Sequence, residues 1–369
     1  MKFRLGVNYW PASSAMYWWK RFDRSEVEHD FARISAAGFD SVRVFLLWED
    51  FQPDPDSISE QALDDLGTVA DIAERNRLSL IPTLFTGHMS GANWIPEWAL
   101  KRVQGESKPS RFRIVSGGRV VSGIPKNWYS DEGVLEAQVR LARRVAGSLR
   151  GKRAVWAYDL GNENSNCVVP PSRESAVNWL KAVAGEIRSV DPSRPITIGL
   201  HMEDLEEDRN LGPAEAAQVS DFLCMHGYPM YSSWADSPTD VMILAYLGLI
   251  TRWLASSAVA VDASTTDILF EEFGAPTVPD QNGLPETRAA GVPMLGEEEA
   301  ARFTGRALDS LREFGFLGAM IWCYADYARA MWSQPPLDQS SHERSFGLWH
   351  NNYTAKQALA EVKRLSGAA

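Results

Sequence analysis

The sequence predicts a single (β/α)8 barrel, and three observations lead to this fold class. Apolar, β-branched runs of strand length alternate with amphipathic helical segments along the whole chain. The strand-like runs number eight, as a closed parallel barrel requires. A doubly wound sheet would place a glycine-rich phosphate loop after the first run, where this chain has NYWPASS.

Each predicted strand is nearly all apolar, as a strand covered on both faces should be. Glycine, proline or charged residues bound most of these runs, which sets their ends. In chain order the predicted strands occupy residues 3–9, 40–48, 78–85, 154–161, 195–200, 221–228, 267–274 and 316–324.

The helices are predicted from apolar residues that recur every three or four positions. Val27, Phe31 and Ile34 mark the first helix, for which Ser25 is the predicted N-cap and Glu28 its capping-box partner. The other predicted helices occupy residues 60–76, 131–150, 173–189, 239–256, 297–314 and 354–366.

All of residues 1–369 are assigned to one catalytic domain, because α/β barrels with insertions commonly reach this length. Three long loops follow the third, seventh and eighth strands, at approximately residues 86–130, 274–296 and 325–353. Long loops in a compact domain are usually functional. Because these loops follow strand C-termini, we expect them to wall the catalytic face and narrow a cleft into a pocket.

Composition excludes several classes of partner. The net charge of −11 disfavours nucleic acid, an anionic membrane surface and polyanionic substrates. The N-terminus, MKFRLGVNYW, lacks the apolar core of a signal peptide, and three cysteines without metal spacing predict reduced thiols in a cytoplasmic protein. The acidic stretch 201–210 lacks the ligand spacing of a calcium loop and is interpreted as a solvated loop. No metal or cofactor is predicted.

Two carboxylates, Glu163 and Glu272, lie at the C-terminal ends of strand-like runs, in AVWAYDLGNEN and ILFEEFGAP. Barrel enzymes place their chemistry at this end of the strands. Glycoside hydrolysis needs two carboxyl groups, one to protonate the leaving oxygen and one to attack or to activate water. The pair therefore predicts a glycosidase site, with ordinary loop-edge acids as the alternative.

Tryptophan is unusually frequent, with fourteen residues, and many of them follow strand-like runs. Flat aromatic faces suit the C–H faces of a pyranose, whose hydroxyls then reach polar groups. Trp128 is therefore predicted to contact a sugar, and Trp94 and Trp98 are expected to wall the same pocket. The tryptophans interpreted as core residues are Trp156, Trp179 and Trp253.

In combination, these residues resemble glycoside hydrolase family 5, a family of the clan A barrel hydrolases. The resemblance covers nearly the whole barrel, and the motifs occur in the order that the family has. The matching residues are Arg43 on strand two, His88 after strand three, Asn162 and Glu163 at strand four, His226 and Tyr228 on strand six, Glu272 on strand seven and Trp322 on strand eight.

The resemblance implies a role for several of these residues. It implies that Glu163 is the acid/base and Glu272 the nucleophile. It further implies that Arg43 steadies the nucleophile and that Trp322 forms the floor of the sugar site. Resemblance to exo-acting members makes Glu343 a candidate for binding substrate hydroxyls.

Physical chemistry gives independent requirements for these roles. Glu272 must be ionised to attack an anomeric carbon, and Arg43 and Tyr228 can supply the cation and the donor that it needs. Glu163 must be protonated at working pH, which calls for less polar surroundings and a like charge nearby. The amide of Asn162 can donate to the sugar 2-hydroxyl.

Each assignment has a structural alternative. Arg43 could be an ion-pair partner in the barrel mouth, and His88 and His226 could be core histidines with satisfied hydrogen bonds. Glu271 should point away from Glu272, because neighbouring side chains on a strand alternate.

The sequence therefore predicts a retaining β-glycosidase that acts on short β-linked mannosides or glucosides by double displacement. A cytoplasmic location predicts an oligosaccharide substrate, and together with the long loops it favours an exo-acting β-mannosidase. The alternatives are an endo-acting β-1,4-mannanase or cellulase and, in another class, a catalytically silent sugar-binding barrel.

Overall fold

Eight parallel strands form one barrel in the computed structural model, which describes residues 3–102, 110–258, 266–278 and 288–368. All eight overlap the strands predicted from the sequence. The strands are β1 (Arg4–Tyr9), β2 (Ser41–Phe45), β3 (Ser79–Phe85), β4 (Tyr158–Asn162), β5 (Ile196–Gly199), β6 (Leu223–His226), β7 (Ile268–Phe273) and β8 (Gly318–Ile321).

The barrel closes between β5 and β6. Around the sheet the strand order is β5-β4-β3-β2-β1-β8-β7-β6, and every adjacent pair is parallel. The amide of His226 donates to the carbonyl of Leu200 at 2.7 Å, and that of Asp221 to Ile196 at 2.8 Å. These bonds join the two ends of the sheet, so the predicted (β/α)8 barrel is confirmed.

Helices connect consecutive strands on the outside of the barrel. Two single-turn helices, Glu203–Glu206 and Pro213–Ala216, stand where a long helix would follow β5. The longer helices are α1 (Arg24–Ala36), α2 (Glu60–Arg75), α3 (Glu132–Leu149), α4 (Arg173–Val190), α5 (Val241–Ser256), α6 (Glu297–Glu313) and α7 (Ala358–Ser366).

The predicted cap of α1 is wrong by two residues. Asp23 is the N-cap, and its carboxylate accepts from the amides of Ser25 and Glu26. A carboxylate at this position satisfies two amides and complements the positive end of the helix, so it serves better than the hydroxyl of Ser25.

The core has two layers. A large apolar layer lies between strands and helices, whereas a small cluster that includes Ile81, Leu269 and Met320 fills the interior of the barrel. Trp253, predicted to lie in the core, is 70% exposed on α5. None of the helices in the described ranges has both the length and the apolar character that spanning a membrane demands.

The loop after β3 contains structure of its own. It forms a small four-stranded sheet from His88–Met89, Ala92–Trp94, Arg113–Ser116 and Arg119–Val121. Residues 103–109 of this loop, and 279–287 of the loop after β7, lie outside the described residues. The described parts of the long loops follow the C-terminal ends of β3, β7 and β8, as predicted.

Candidate active site

The register of both carboxylate-bearing strands slips by one residue near the C-terminal end. On β4, Asp159 pairs with Thr197 of β5, but Asn162 pairs with Gly199, so three steps on one strand match two on the other. An extra residue of this kind bends a strand and redirects its side chains. The slip occurs immediately before Glu163, the first residue after the strand.

On β7 the same irregularity changes where Glu271 points. Phe270 pairs with Ala319 of β8, whereas Phe273 pairs with Ile321. Glu271 consequently lies inside the barrel, 3.4 Å from Arg43 Nε, and is fully buried beneath Glu272. The expectation that Glu271 faces away from the site is wrong, because simple alternation fails at a register slip.

Two donors hold the carboxylate of Glu272. Arg43 Nη1 donates to Oε1 at 2.6 Å, and the hydroxyl of Tyr228 donates to Oε2 at 2.9 Å. A charge-assisted bond this short stabilises the ionised carboxylate. The structure thus places Arg43 and Tyr228 where the role proposed for Glu272 requires them.

Arg43 also binds groups deeper in the barrel. Its Nη2 donates to Asp159 Oδ2 at 2.7 Å and to Asn162 Oδ1 at 2.9 Å, and its Nε donates to Thr83 Oγ1 at 2.8 Å. A Cβ at Gly199 would stand 3.1 Å from this guanidinium, so glycine leaves the room that it needs. The guanidinium is therefore fixed on every side.

Glu163 stands in a strained backbone conformation at the end of β4. Its φ of 48° and ψ of 45° lie in the left-handed region, which non-glycine residues seldom adopt outside functional sites. Its Oε1 lies 2.8 Å from His226 Nδ1, and its Oε2 accepts from Asn166 Nδ2 at 3.1 Å. The side chain keeps 14% of its surface exposed, against 6% for Glu272.

The carboxyl groups of Glu163 and Glu272 lie close together. One oxygen of each and a ring nitrogen of His226 fall within 4.8 Å of one another. Three ligand atoms at this spacing could also hold a cation. Here the atoms already meet protein partners, since His226 lies against Glu163 while Arg43 and Tyr228 donate to Glu272.

The acidities of the two carboxyls differ in the free protein. Burial opposes ionisation of Glu163, but the positive fields of His201 and His226 and the hydrogen bond to His226 lower its pKa below the usual range. Burial raises the pKa of Glu272, as does the charge of Glu163, against His226 and Arg43. Acid catalysis by Glu163 requires the opposite order of the two pKa values. Glu163 must therefore receive the proton that it donates from a neighbouring group.

A cavity of about 410 Å³ opens above the two carboxylates. Trp322, Tyr228, Tyr231 and Glu343 are among its lining residues, and the hydroxyl of Tyr228 also donates to Glu272. Glu343 Oε2 accepts from Trp322 Nε1 at 3.2 Å and from Ser90 Oγ at 3.0 Å. Trp322 and Glu343 are thus brought together at the cavity, as the sequence resemblance implied.

The loop after β3 forms another wall of the cavity. His88 lines this wall, with its ring 4.3 Å from that of Phe112 and its Nδ1 2.8 Å from Asn93 Oδ1. The carbonyl of His88 accepts from Asn162 Nδ2 at 2.6 Å, so this amide is already committed to one acceptor. Burial lowers the pKa of His88, which favours a neutral ring.

The predicted tryptophan wall is absent from the cavity. Trp128 is 2% exposed and packs edge-on against Trp48 in the core, with ring centroids 6.1 Å apart. Trp94 is equally buried, and Trp98 donates to the carbonyl of Gln52 at 3.1 Å. The prediction that tryptophans following a strand contact the sugar is wrong for these residues, because this loop folds back onto the barrel and buries them.

The sequence interpretation missed the residues supplied by the stretch 201–210. His201 and Glu203 line the cavity, and Arg209 is buried and donates to Asn166 Oδ1 at 3.0 Å. Its excess of acidic residues made the stretch resemble a solvated loop. The available signal was its position directly after β5, at the catalytic end of the barrel.

Comparison with curated proteins identifies mannan endo-1,4-β-mannosidases as relatives, whereas no protein-family model matches the chain. Mannan endo-1,4-β-mannosidase A of Hypocrea jecorina is 23% identical over 303 residues, 74% of this chain and 61% of that protein. Mannan endo-1,4-β-mannosidase F of Aspergillus clavatus is 25% identical over 164 residues, 41% of this chain and 35% of that protein. The chain thus spans less than two thirds of the length of each of these relatives.

Solved structures share the fold over essentially the whole chain. A GH5_18 protein from Streptomyces cattleya in complex with Manβ1-4GlcNAc has a TM-score of 0.77 at 23% identity, covering 100% of this chain and 80% of that one. An exo-β-1,4-mannosidase from Opitutaceae bacterium strain TAV5 has a TM-score of 0.77 at 23% identity, covering 99% of this chain and 59% of that one. The resemblance to glycoside hydrolase family 5, and within it to β-mannosidase-like proteins, is confirmed.

Proposed function

We propose that this protein is a retaining, exo-acting β-mannosidase that releases single sugars from short β-linked mannosides. The observation that carries the proposal is the pairing of Glu272, held by Arg43 and Tyr228, with Glu163 in one cavity. The similarity to mannosidases in sequence and in fold supports the choice of mannose.

The spacing of the carboxyl groups supports retention. Oxygens of Glu163 and Glu272 lie within 4.8 Å of each other, close to the ~5–5.5 Å carboxyl separation of retaining enzymes and below the ~6.5–9.5 Å of inverting ones. In double displacement Glu272 attacks the anomeric carbon while Glu163 protonates the leaving oxygen. Glu163 then removes a proton from the water that hydrolyses the glycosyl–Glu272 ester.

The cavity has a side for the retained sugar and a side for the leaving group. The acid must face the leaving oxygen, so the leaving group lies on the Glu163 side, towards Asn166 and Glu203. The retained sugar lies against Trp322 and Glu343 on the Glu272 side. Trp322 offers an apolar face, and Glu343 can accept hydrogen bonds from sugar hydroxyls.

Two ion pairs fix a wall beyond the leaving-group side. Arg111 binds Glu203 through both terminal nitrogens at 2.6 Å, joining the loops after β3 and β5. Arg113 binds Asp338 at 2.8 and 3.0 Å, joining the same loop to that after β8. Phe112 lies between the two arginines and faces the cavity. A wall fixed at both ends limits the length of the leaving group, which favours short substrates.

The second candidate is an endo-acting β-mannanase, which the curated relatives favour because both are named as endo enzymes. An endo enzyme needs an open cleft that binds sugars on both sides of the scissile bond. The wall formed by Arg111, Phe112 and Arg113 argues against such a cleft. A silent sugar-binding barrel would have no need for the constrained pair of carboxylates.

A substrate screen followed by product analysis tests the proposal. Nitrophenyl β-mannoside should be hydrolysed faster than the β-glucoside and the β-xyloside. Short manno-oligosaccharides should release mannose one unit at a time from the start of the reaction, and mannohexaose should be a poorer substrate than mannobiose. Early mid-chain products would establish the endo enzyme, and binding without turnover of any glycoside would establish the silent barrel.

A further inference from the structure

Glu271 is a buried carboxylate that the double-displacement steps do not use. It has no exposed surface, and neither of its oxygens has a hydrogen-bond partner among the described residues. Its charge neighbours are Arg43, 3.4 Å from Oε1, and His226, whose Nε2 lies 3.8 Å from Oε2. A buried carboxylate without a hydrogen bond is costly, so its position beneath the site calls for an explanation.

His226 joins Glu271 to Glu163. Its Nδ1 lies 2.8 Å from Glu163 Oε1, and its Nε2 points down towards Glu271. A Cβ at Gly199 of β5 would stand only 3.1 Å from Nε2, so the absence of a side chain at this position leaves room for the ring. The imidazole therefore stands between two carboxylates with a different ring nitrogen facing each.

We infer that Glu271 is a positioning residue that keeps a proton on Nε2 of His226, so that the proton on Nδ1 is the one shared with Glu163. This inference rests on the assignment of Glu163 as the acid in the proposed function. A histidine ring is commonly fixed in one tautomer by the acceptor that its second nitrogen meets. Here the carboxylate that faces this nitrogen is Glu271, 3.8 Å away.

This arrangement explains how Glu163 can act as an acid although its pKa is low in the free protein. With Nε2 protonated, His226 Nδ1 and Glu163 Oε1, 2.8 Å apart, share one further proton. When this proton is on Nδ1 the pair is an imidazolium and a carboxylate, and when it is on Glu163 both groups are neutral. A sugar that displaces water from the cavity favours the neutral pair, because separated charges lose solvation there. Glu163 is then protonated and faces the leaving oxygen. When it donates that proton, His226 remains neutral.

The pair is surrounded by further titratable and charged groups that act on its proton affinity. Negative neighbours raise that affinity, and Arg43 lowers it. These groups are Arg43 on β2, His88 after β3, Asp159 on β4, His201 after β5, Cys224 and Tyr228 on or after β6, and Glu272 beside Glu271 on β7.

The variant Glu271→Gln tests the inference, because it removes the charge while preserving shape. Loss of a negative neighbour weakens proton binding by the His226–Glu163 pair, so the basic limb of the kcat/KM profile should move down by at least about one pH unit. Turnover of mannobiose should fall at least about tenfold more than that of dinitrophenyl β-mannoside, which needs no proton on its leaving group. Glu271→Asp, which keeps the charge, should restore the limb.

Asp159→Asn is the matched control, since it removes a carboxylate that binds Arg43 at 2.7 Å without contacting His226. It should move the basic limb much less than Glu271→Gln does and act mainly on the acid limb, which reports Glu272. A basic limb that stays unchanged in Glu271→Gln, or moves equally in Asp159→Asn, would overturn the inference.

A measurement on the unaltered protein provides a test should the variant not fold. The ¹⁵N shifts of His226 should reveal a proton on Nε2 throughout the active pH range. A bare Nε2 would overturn the role of Glu271 whatever the substrate. Absence of any glycosidase activity in the unaltered protein would instead overturn the proposed function and leave this NMR result to stand.

Discussion

The two carboxylates of the site are held in different ways. Glu272 receives its donors from barrel strands and their immediate ends, through Arg43 on β2 and Tyr228 just after β6. One partner of Glu163, His226, also lies on a barrel strand. Its other partner, Asn166, belongs to a loop and accepts a hydrogen bond from Arg209 of another loop. The Glu272 half is therefore held by the barrel, whereas the Glu163 half also depends on contacts between loops.

The largest effect is expected from Glu272→Ala. Loss of the nucleophile removes the covalent route, so kcat should fall by at least about 10⁴-fold on natural and activated mannosides alike. Steady-state kinetics on mannobiose and dinitrophenyl β-mannoside measure this fall. A variant that keeps appreciable activity on either substrate would exclude Glu272 as the nucleophile.

A selective effect is expected from Glu163→Ala. The loss should be about 10²–10⁴-fold on mannobiose, because general acid catalysis typically contributes that much. On dinitrophenyl β-mannoside the first step needs no proton, so glycosylation should be nearly normal and a burst of dinitrophenol should precede slow deglycosylation. Equal losses of the glycosylation rate on both substrates would remove Glu163 from the acid role.

The difference between the two halves also explains what the sequence could predict. Arg43, Asn162, Glu163, His226 and Glu272 lie on or next to strands, whose order and apolar pattern place their C-terminal ends at one mouth. Within those strands the side of Glu271 was predicted wrongly, because a register slip of one residue leaves no trace in the alternation of residue types.

The loop half could not be predicted in the same way. Trp128 was placed at the sugar and lies in the core, whereas Arg111 and Glu203 were not singled out and line the cavity. Their positions depend on contacts between loops far apart in the chain, such as the ion pair that joins residues 111 and 203. Neither local pattern nor spacing encodes such a contact.

A pH effect on stability is expected from His226. Burial alone would lower the pKa of His226, but the charge of Glu272 and the bond to Glu163 raise it to about 10. In the unfolded chain histidine titrates near ~6.5. Because the folded pKa is higher, the contribution is fully present below about pH 6.5 and is lost as pH rises through about 10.

Urea unfolding across pH 6 to 10 measures this contribution. The variant His226→Asn should lose stability less steeply over that range than the unaltered protein, by on the order of a few kcal/mol. His29→Asn, at an exposed position on α1, is the control and should follow the unaltered protein. Parallel curves for His226→Asn and the unaltered protein would mean that His226 carries no charge in the fold.

The smallest effect is expected at the loop wall. Arg111 is 55% exposed, so its pair with Glu203 contributes modestly, and Arg111→Ala should raise kcat/KM for mannotetraose relative to mannobiose about two- to fivefold. Arg364→Ala breaks a comparable exposed pair with Asp309 on the outside of the barrel and should leave the ratio unchanged. A ratio that does not respond to Arg111→Ala would assign the chain-length limit to another element.

The stereochemistry of the first-formed product tests the central claim most directly. Proton NMR of early hydrolysis of an aryl β-mannoside resolves the anomeric proton before mutarotation. Direct attack by Glu272, followed by water activated by Glu163, displaces the sugar twice, so β-mannose should appear first. Initial release of α-mannose would mean a single inversion and would contradict the assignment of Glu272 as a nucleophile.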